Sequence, residues 1–293
     1  MTRPAHQGGF SADSGGCGPI AGIGLVALLL IAGLCYGAWT LLPGLIDSMM
    51  PRSADVALGK MVDEMMSKDS ARRCEGSAME AWLKEVGDKL VAVADGEPFE
   101  YHWKVIDKAS VNAFALPGGY VTAHVGLFEK AKSPEEVAAV IAHEIVHAES
   151  RHGMIGMASS IGLMAGAQLL LGGGTLSDVA VRAAGELARL GHSRKQESEA
   201  DAKGRELMVR ANMDPEGMVR MFELLGAEHG DEAPPEFLSS HPDSGARAEA
   251  ARHGPKPMHP IKLPPLPTTD CRAGEKKAEE ATGEKGAEAK AEE

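Results

Sequence analysis

The stretch His143-Glu144-Ile145-Val146-His147 decides the fold, because it sets two histidines and a carboxylate where one metal ion can use them. Residues four apart lie on the same face of an α-helix, so His143 and His147 can reach one ion together. Glu144, beside the first ligand, can reach a water on the open coordination position of a catalytic zinc. The flanks predict a helix. Ser133 supplies an N-cap, Pro134 the first helical position, and Glu135 and Glu136 the acids of the first turn. Val137, Val140, Ile141, Ile145 and Val146 give it a broad apolar face, which predicts a core helix.

With 11 His in 293 residues this spacing also arises by chance, and two histidines on a solvated helix would read the same way. A third ligand discriminates, since a catalytic zinc keeps three protein ligands and leaves the fourth place to water. The candidate lies in Gln196-Glu197-Ser198-Glu199-Ala200-Asp201, within a charge-rich helical run from about Ser193 to Arg210. Glu197 and Asp201 share a face, and Glu199 points elsewhere. We assign Glu197 to the zinc and Asp201 to a hydrogen bond with a ligand histidine, which needs an outer partner to fix its tautomer. A solvated charged face is the alternative, weakened because two separate motifs fit one chemistry.

Four segments together resemble the gluzincin peptidases of the HtpX and CAAX prenyl endopeptidase family, in particular its periplasmic BepA/LoiP-type and mitochondrial Oma-type members. They are Asn112-Ala-Phe-Ala-Leu-Pro-Gly-Gly-Tyr120, the His143 to His147 helix, Glu197-Ser-Glu-Ala-Asp201 and Ser240-His-Pro-Asp-Ser-Gly-Ala-Arg247, covering roughly residues 55 to 252. The resemblance implies an α+β, zincin-like domain, mainly helical with a small sheet, holding one Zn2+ per chain. It makes Asn112, Ala113, Phe114 and Ala115 an edge strand along which an extended substrate peptide pairs. It brings His241 to the zinc, either as a transition-state donor or as a removable fourth ligand, and gives Arg247 an anchoring or charge-stabilising role. A surface turn at His241-Pro242 and a plain core hairpin at 112–120 are the plainer readings. His124 departs from the family pattern, and we read it as incidental.

Around these motifs, Tyr101–Asp107, Val111–Leu116 and Tyr120–Val125 read as short strands, the last two joined by a turn at Pro117-Gly118-Gly119. Val56–Met66 and Ala78–Val93 read as amphipathic helices. The apolar run Met154–Leu171 reads as a buried helix, with a membrane-dipping one as the alternative. No Gly-x-Ser-x-Gly is present and none of the four cysteines has a catalytic setting, which argues against a nucleophilic hydrolase.

Residues 20–42 carry no charge over 23 residues, enough to span the ~30 Å hydrocarbon core of a bilayer. Tyr36 and Trp39 stand near the outer end and Pro43 as a stop. A cleaved signal peptide would want a basic n-region and a shorter apolar core, so an uncleaved single-pass anchor is the preferred reading. Orientation rests on the resemblance: N-terminus in the cytoplasm, peptidase domain periplasmic or otherwise extracytoplasmic. The organisation expected is a disordered stretch at 1–19, the anchor at 20–42, a peptidase domain at 53–254 and a Pro-rich, then charged, low-complexity tail at 255–293 that stays mobile. In an oxidising compartment Cys74 and Cys271 could pair and staple the two ends of the catalytic region. A net charge of −12 without a basic patch argues against nucleic acid.

The leading expectation is a membrane-anchored zinc endopeptidase acting on misfolded envelope proteins in quality control. The alternative is a chaperone-like binding protein with a latched or little-used zinc site. A structural zinc domain ranks third, because a closed site wants four ligands and sequence offers three.

Overall fold

A computed structural model of the chain describes residues 49–69, 72–95, 98–157, 192–227 and 244–268, with a few isolated positions outside those ranges. The chain divides into two compact units, Met1–Asp47 and Ser48–Glu293, and every element below belongs to the second. Most of the expected anchor at 20–42, most of the run Met154–Leu171, and the tail beyond Cys271 lie outside the described residues. No described helix is long and apolar enough to cross a membrane.

Two helices, α1 (Arg52–Asp69) and α2 (Ala78–Val91), precede a three-stranded sheet of β1 (His102–Ile106), β2 (Ala113–Leu116) and β3 (Tyr120–His124). The sheet order is β1-β3-β2, with β1 parallel and β2 antiparallel to the central β3. Gly118 and Gly119 turn the chain between β2 and β3 with φ of 78° and 90°, a conformation that disfavours any side chain. A Cβ on Gly118 would also stand 2.5 Å from the Val56 Cα, so α1 seats directly on this turn.

Helix α3 (Val125–Lys130) follows β3 without a break, and α4 (Pro134–Glu149) carries the two-histidine motif through the centre of the core. Every residue of α4 from Glu136 to Ala148 is buried. Pro134 opens the helix as the sequence indicates, but Ser133 makes no side-chain cap. Glu136 bends back instead and accepts the Lys132 N–H at 2.7 Å. Then come α5 (Arg194–Arg210), α6 (Glu216–Ala227) and α7 (Ser244–Ala251). α5 begins with a full capping box, in which Ser193 Oγ accepts from Gln196 N–H and Gln196 Oε1 accepts from Ser193 N–H. α4 packs chiefly on α5 and α6, while its other side meets β2 and α2.

The expectation that the Pro-rich segment stays mobile is overturned for 255–268. This strap runs back over the domain with Leu263 only 3 % exposed. Ile261 donates its N–H to the Asn212 carbonyl at 2.7 Å, and Trp82 Nε1 donates to the Pro264 carbonyl at 3.0 Å. Arg205 gathers the carbonyls of Ala251, Gly254 and Pro255. Proline removes backbone donors, so such a segment has few N–H groups to satisfy, and its carbonyls are met by side chains of the domain. A disulfide between Cys74 and Cys271 fastens its end, the pairing that redox compartment suggested.

Candidate metal centre

Helices α4 and α5 cross closely at Gly204, where a Cβ would lie 3.2 Å from the His143 backbone nitrogen. That approach brings Glu197 and Asp201 of α5 up to His143 and His147 of α4. His143 Nε2 stands 2.9 Å from His147 Nε2 and 3.5 Å from Glu197 Oε2, and His147 Nε2 stands 3.4 Å from Glu197 Oε1. His241 adds its Nδ1, 3.2 Å from His143 Nε2 and 3.0 Å from Glu197 Oε1. Ligand atoms about 2.0–2.1 Å from a tetrahedral zinc are roughly 3.3 Å from one another, and these separations bracket that value. All four side chains are buried, and three imidazoles with one carboxylate are donors that zinc accepts. The residues fit the ion.

Behind these donors stands a ring of partners. Asp201 Oδ1 lies 3.0 Å from His143 Nδ1, so the carboxylate meets a ligand histidine as the i, i+4 spacing on α5 indicates. Arg247 on α7 grips Asp201 with Nε at 2.7 Å and Nη2 at 2.8 Å, and its Nη1 reaches Glu197 Oε2 at 2.9 Å. The same Nη1 donates to the His241 carbonyl at 3.2 Å, tying down the segment that delivers His241. Phe222 lies under the guanidinium, 4.5 Å from its carbon, and Phe237 stacks on the His241 ring at 4.4 Å.

Glu144 lies between this cluster and the sheet. Its Oε2 accepts the Ala115 N–H at 2.9 Å. Its Oε1 is buried without a hydrogen-bond partner among the described residues, 3.5 Å from His241 Nε2. The bond to Ala115 also fixes which way β2 faces. Asn112 gives its carbonyl to His124 N–H, so alternation assigns Asn112, Phe114 and Leu116 to the β3 ladder. The main-chain groups of Ala113 and Ala115 therefore point outward, along the edge beside Glu144. Of the four edge residues read from sequence, two present backbone there; Asn112 instead contributes a buried Oδ1 with no partner among the described residues.

The electrostatics follow from burial and this packing. Burial raises the Glu144 pKa, against the lowering pull of His241 and His143. Burial alone would strip the proton from His143, but hydrogen bonds to Asp201 and Glu197 outweigh it and raise the pKa to about 9. His147, buried and crowded by His192, is held well below the usual histidine range. Burial works to raise Glu197 and Asp201, yet both end lowered, Glu197 by the three imidazoles around it and Asp201 by His143 and Arg247. A divalent cation would take the place of the proton that the two carboxylates hold on His143.

The Peptidase family M48 profile matches residues 77–254, more than half of the chain and the whole of this centre. The chain belongs to peptidase family M48. Over 196 residues it is 31% identical to a putative beta-barrel assembly-enhancing protease of Vibrio cholerae, covering 63% of this chain and 40% of that protein. It is 37% identical over 145 residues to the mitochondrial metalloendopeptidase OMA1 of Arabidopsis thaliana, covering 50% and 30%. With the metalloprotease LoiP of Escherichia coli it shares 34% over 176 residues, covering 58% and 68%. The chain thus spans less than half the length of the first two family M48 relatives and about two thirds of the third.

Sequence reading missed a second group of side chains behind His147. His152 places Nδ1 2.9 Å from His147 Nδ1, and His192 stacks on His147 with ring centroids 3.8 Å apart. The five-residue step from His147 to His152 falls off the i, i+4 face, so periodicity gave no reason to join them. His124, read as incidental, is fully buried with Nδ1 2.8 Å from Ser110 Oγ.

Proposed function

We propose that this chain is a zinc-dependent endopeptidase that hydrolyses peptide bonds of extended protein substrates. One observation carries the reading: a buried carboxylate, Glu144, stands between a zinc-fitting donor set and the outward backbone of an edge strand. His143, His147 and Glu197 would hold the ion, which when bound supplies a Lewis acid and a water acidic enough to act near neutral pH. Asp201 orients His143, and Arg247 neutralises the carboxylates behind it. A substrate strand would pair with Ala113 and Ala115, taking the N–H that Glu144 now occupies and freeing that carboxylate to accept a proton from water and pass it to the leaving amine. Burial supports this role, because it brings the Glu144 pKa up towards the working range of a base.

The relative named for enhancing beta-barrel assembly supports misfolded envelope proteins as substrates and a part in quality control. The uncharged run at 20–42 supports a single-pass anchor, and the resemblance alone supports placing the domain on the periplasmic side. A second reading, a latched or little-used site that mainly binds unfolded chains, is favoured by His241, whose Nδ1 completes a fourth donor position. A closed structural zinc would also use four donors, but it has no need of Glu144 or of an open strand edge beside them.

Casein or an unfolded outer-membrane protein incubated with wild type and Glu144→Gln separates these. Cleavage by wild type, with a loss of about 10²–10⁴-fold in the variant and unchanged zinc content, supports the peptidase. Equal protection of substrate from aggregation by both, without cleavage, supports the binder. Full peptidase activity in Glu144→Gln removes the mechanism.

A further inference from the structure

We propose that His152 is a positioning residue that sets the tautomer of His147. In this arrangement the His147 Nδ1–H donates to His152 Nδ1, which leaves His147 Nε2 bare on the side of His143 and Glu197. The inference rests on the zinc reading above and adds a residue that the two-histidine motif does not contain.

Two imidazole nitrogens 2.9 Å apart form a hydrogen bond only if one carries the proton and the other offers a lone pair. Position decides which. His147 Nε2 points into the donor cluster, so its proton belongs on Nδ1. His152 Nε2 faces Glu199 Oε2 at 3.8 Å, so its own proton belongs on that side and its Nδ1 is the acceptor. Glu199 is steadied by Lys203 Nζ at 2.6 Å. The stacked His192 ring limits tilting of His147 out of this line.

The position of His152 is itself enforced. It follows Arg151, a non-glycine residue at φ 56°, a left-handed conformation that L side chains adopt only when their surroundings impose it. The Arg151 guanidinium makes a two-pronged pair with Asp55 of α1, at 3.2 and 2.6 Å, with both groups buried. A bidentate buried pair of this kind holds the left-handed turn and aims His152 back at α4. The two ligand histidines are therefore oriented differently, His143 by a carboxylate and His147 by a neutral ring. His147, His152 and His192 could also be read as a second cation site. With the first ion bound, that would need the His147 imidazole to bridge two ions, Nε2 on one and Nδ1 on the other.

The test uses the full-length protein, zinc-loaded and competed with a chromophoric chelator, comparing His152→Asn with His152→Leu. Asn places an oxygen where Nδ1 was. It should hold zinc within roughly threefold of wild type, while Leu should weaken it about 10–100-fold. Equal affinity of Leu and wild type overturns the proposal, as does an equal loss in both variants. So does a second zinc per chain that disappears in both. Nitrogen-15 NMR of the imidazoles reads the same point without substitution. A protonated Nε2 and bare Nδ1 on His152 is the result expected, and the reverse tautomer overturns it. If wild type takes up no zinc, the zinc reading fails, and the His152 tautomer still decides this inference.

Discussion

His152 and His192 are held at pKa values of about 4 and about 3, in each case first by burial, whereas His143 is raised to about 9 by Asp201 and Glu197 against its burial. The signs oppose. The unfolded chain takes up protons on His152 and His192 below about pH 6.5, and the folded chain does so only much lower. Their contribution is therefore complete above pH 6.5 and is lost as pH falls towards 4 and 3. His143 contributes fully below pH 6.5 and loses that contribution as pH rises through 9. Zinc-depleted protein should then be most stable near neutral pH, with melting temperature falling on both sides. Zinc, which needs His143 neutral, should flatten the alkaline limb; an alkaline limb equally steep with and without zinc would contradict the assignment. At this scale the residues legible beforehand were those whose partners sit at fixed helical spacing: His143, Glu144, His147, Glu197 and Asp201. His152, Asp55 and Arg151 were not, because a left-handed turn and a contact across 96 positions leave no periodic trace.

Helix α5 shows how much one element can announce and how much it hides. Its start was readable, since Ser193 and Gln196 form the capping box and the run to Arg210 is unbroken. Its distance from α4 was not readable, because that depends on Gly204 meeting the His143 backbone. Gly204→Val should push α5 away from α4 and destabilise the protein by about 1–3 kcal/mol, the usual cost of overpacking. Because Glu197 and Asp201 ride on the same helix, zinc affinity should fall with it, measured by chelator competition on protein that is still folded. Undiminished affinity with lowered stability would show that the carboxylates adapt independently of the helix. The strands were found within one or two residues of their ends, but the central place of β3 was not. Strand order depends on which edges pair, and β1 skips the next strand in the chain to pair directly with β3. The same applies to the outward face of β2, fixed by a single bond from Ala115 to Glu144.

Across the whole molecule, composition misled at the C-terminal side. Prolines at 255–267 read as a mobile tail, yet Leu263 is buried and Trp82, Asn212 and Arg205 receive the strap's carbonyls. Long-range side-chain donors of this kind cannot be foreseen from local content. The Cys74–Cys271 bridge closes a span of 197 residues, a loop long enough that cross-linking should contribute about 2–5 kcal/mol. Replacing both cysteines by serine should lower the urea midpoint accordingly and expose Trp82, read as a red shift of its fluorescence. An unchanged midpoint would mean that the strap holds without its clasp.

That clasp alters how damage to the chain would look. Any single proteolytic cut between residues 74 and 271 leaves both pieces tethered. On a gel without thiol such a nicked molecule runs at full mass, and only reduction divides it into fragments. Such nicks would thus accumulate silently, in molecules that count as intact until the sulfurs part.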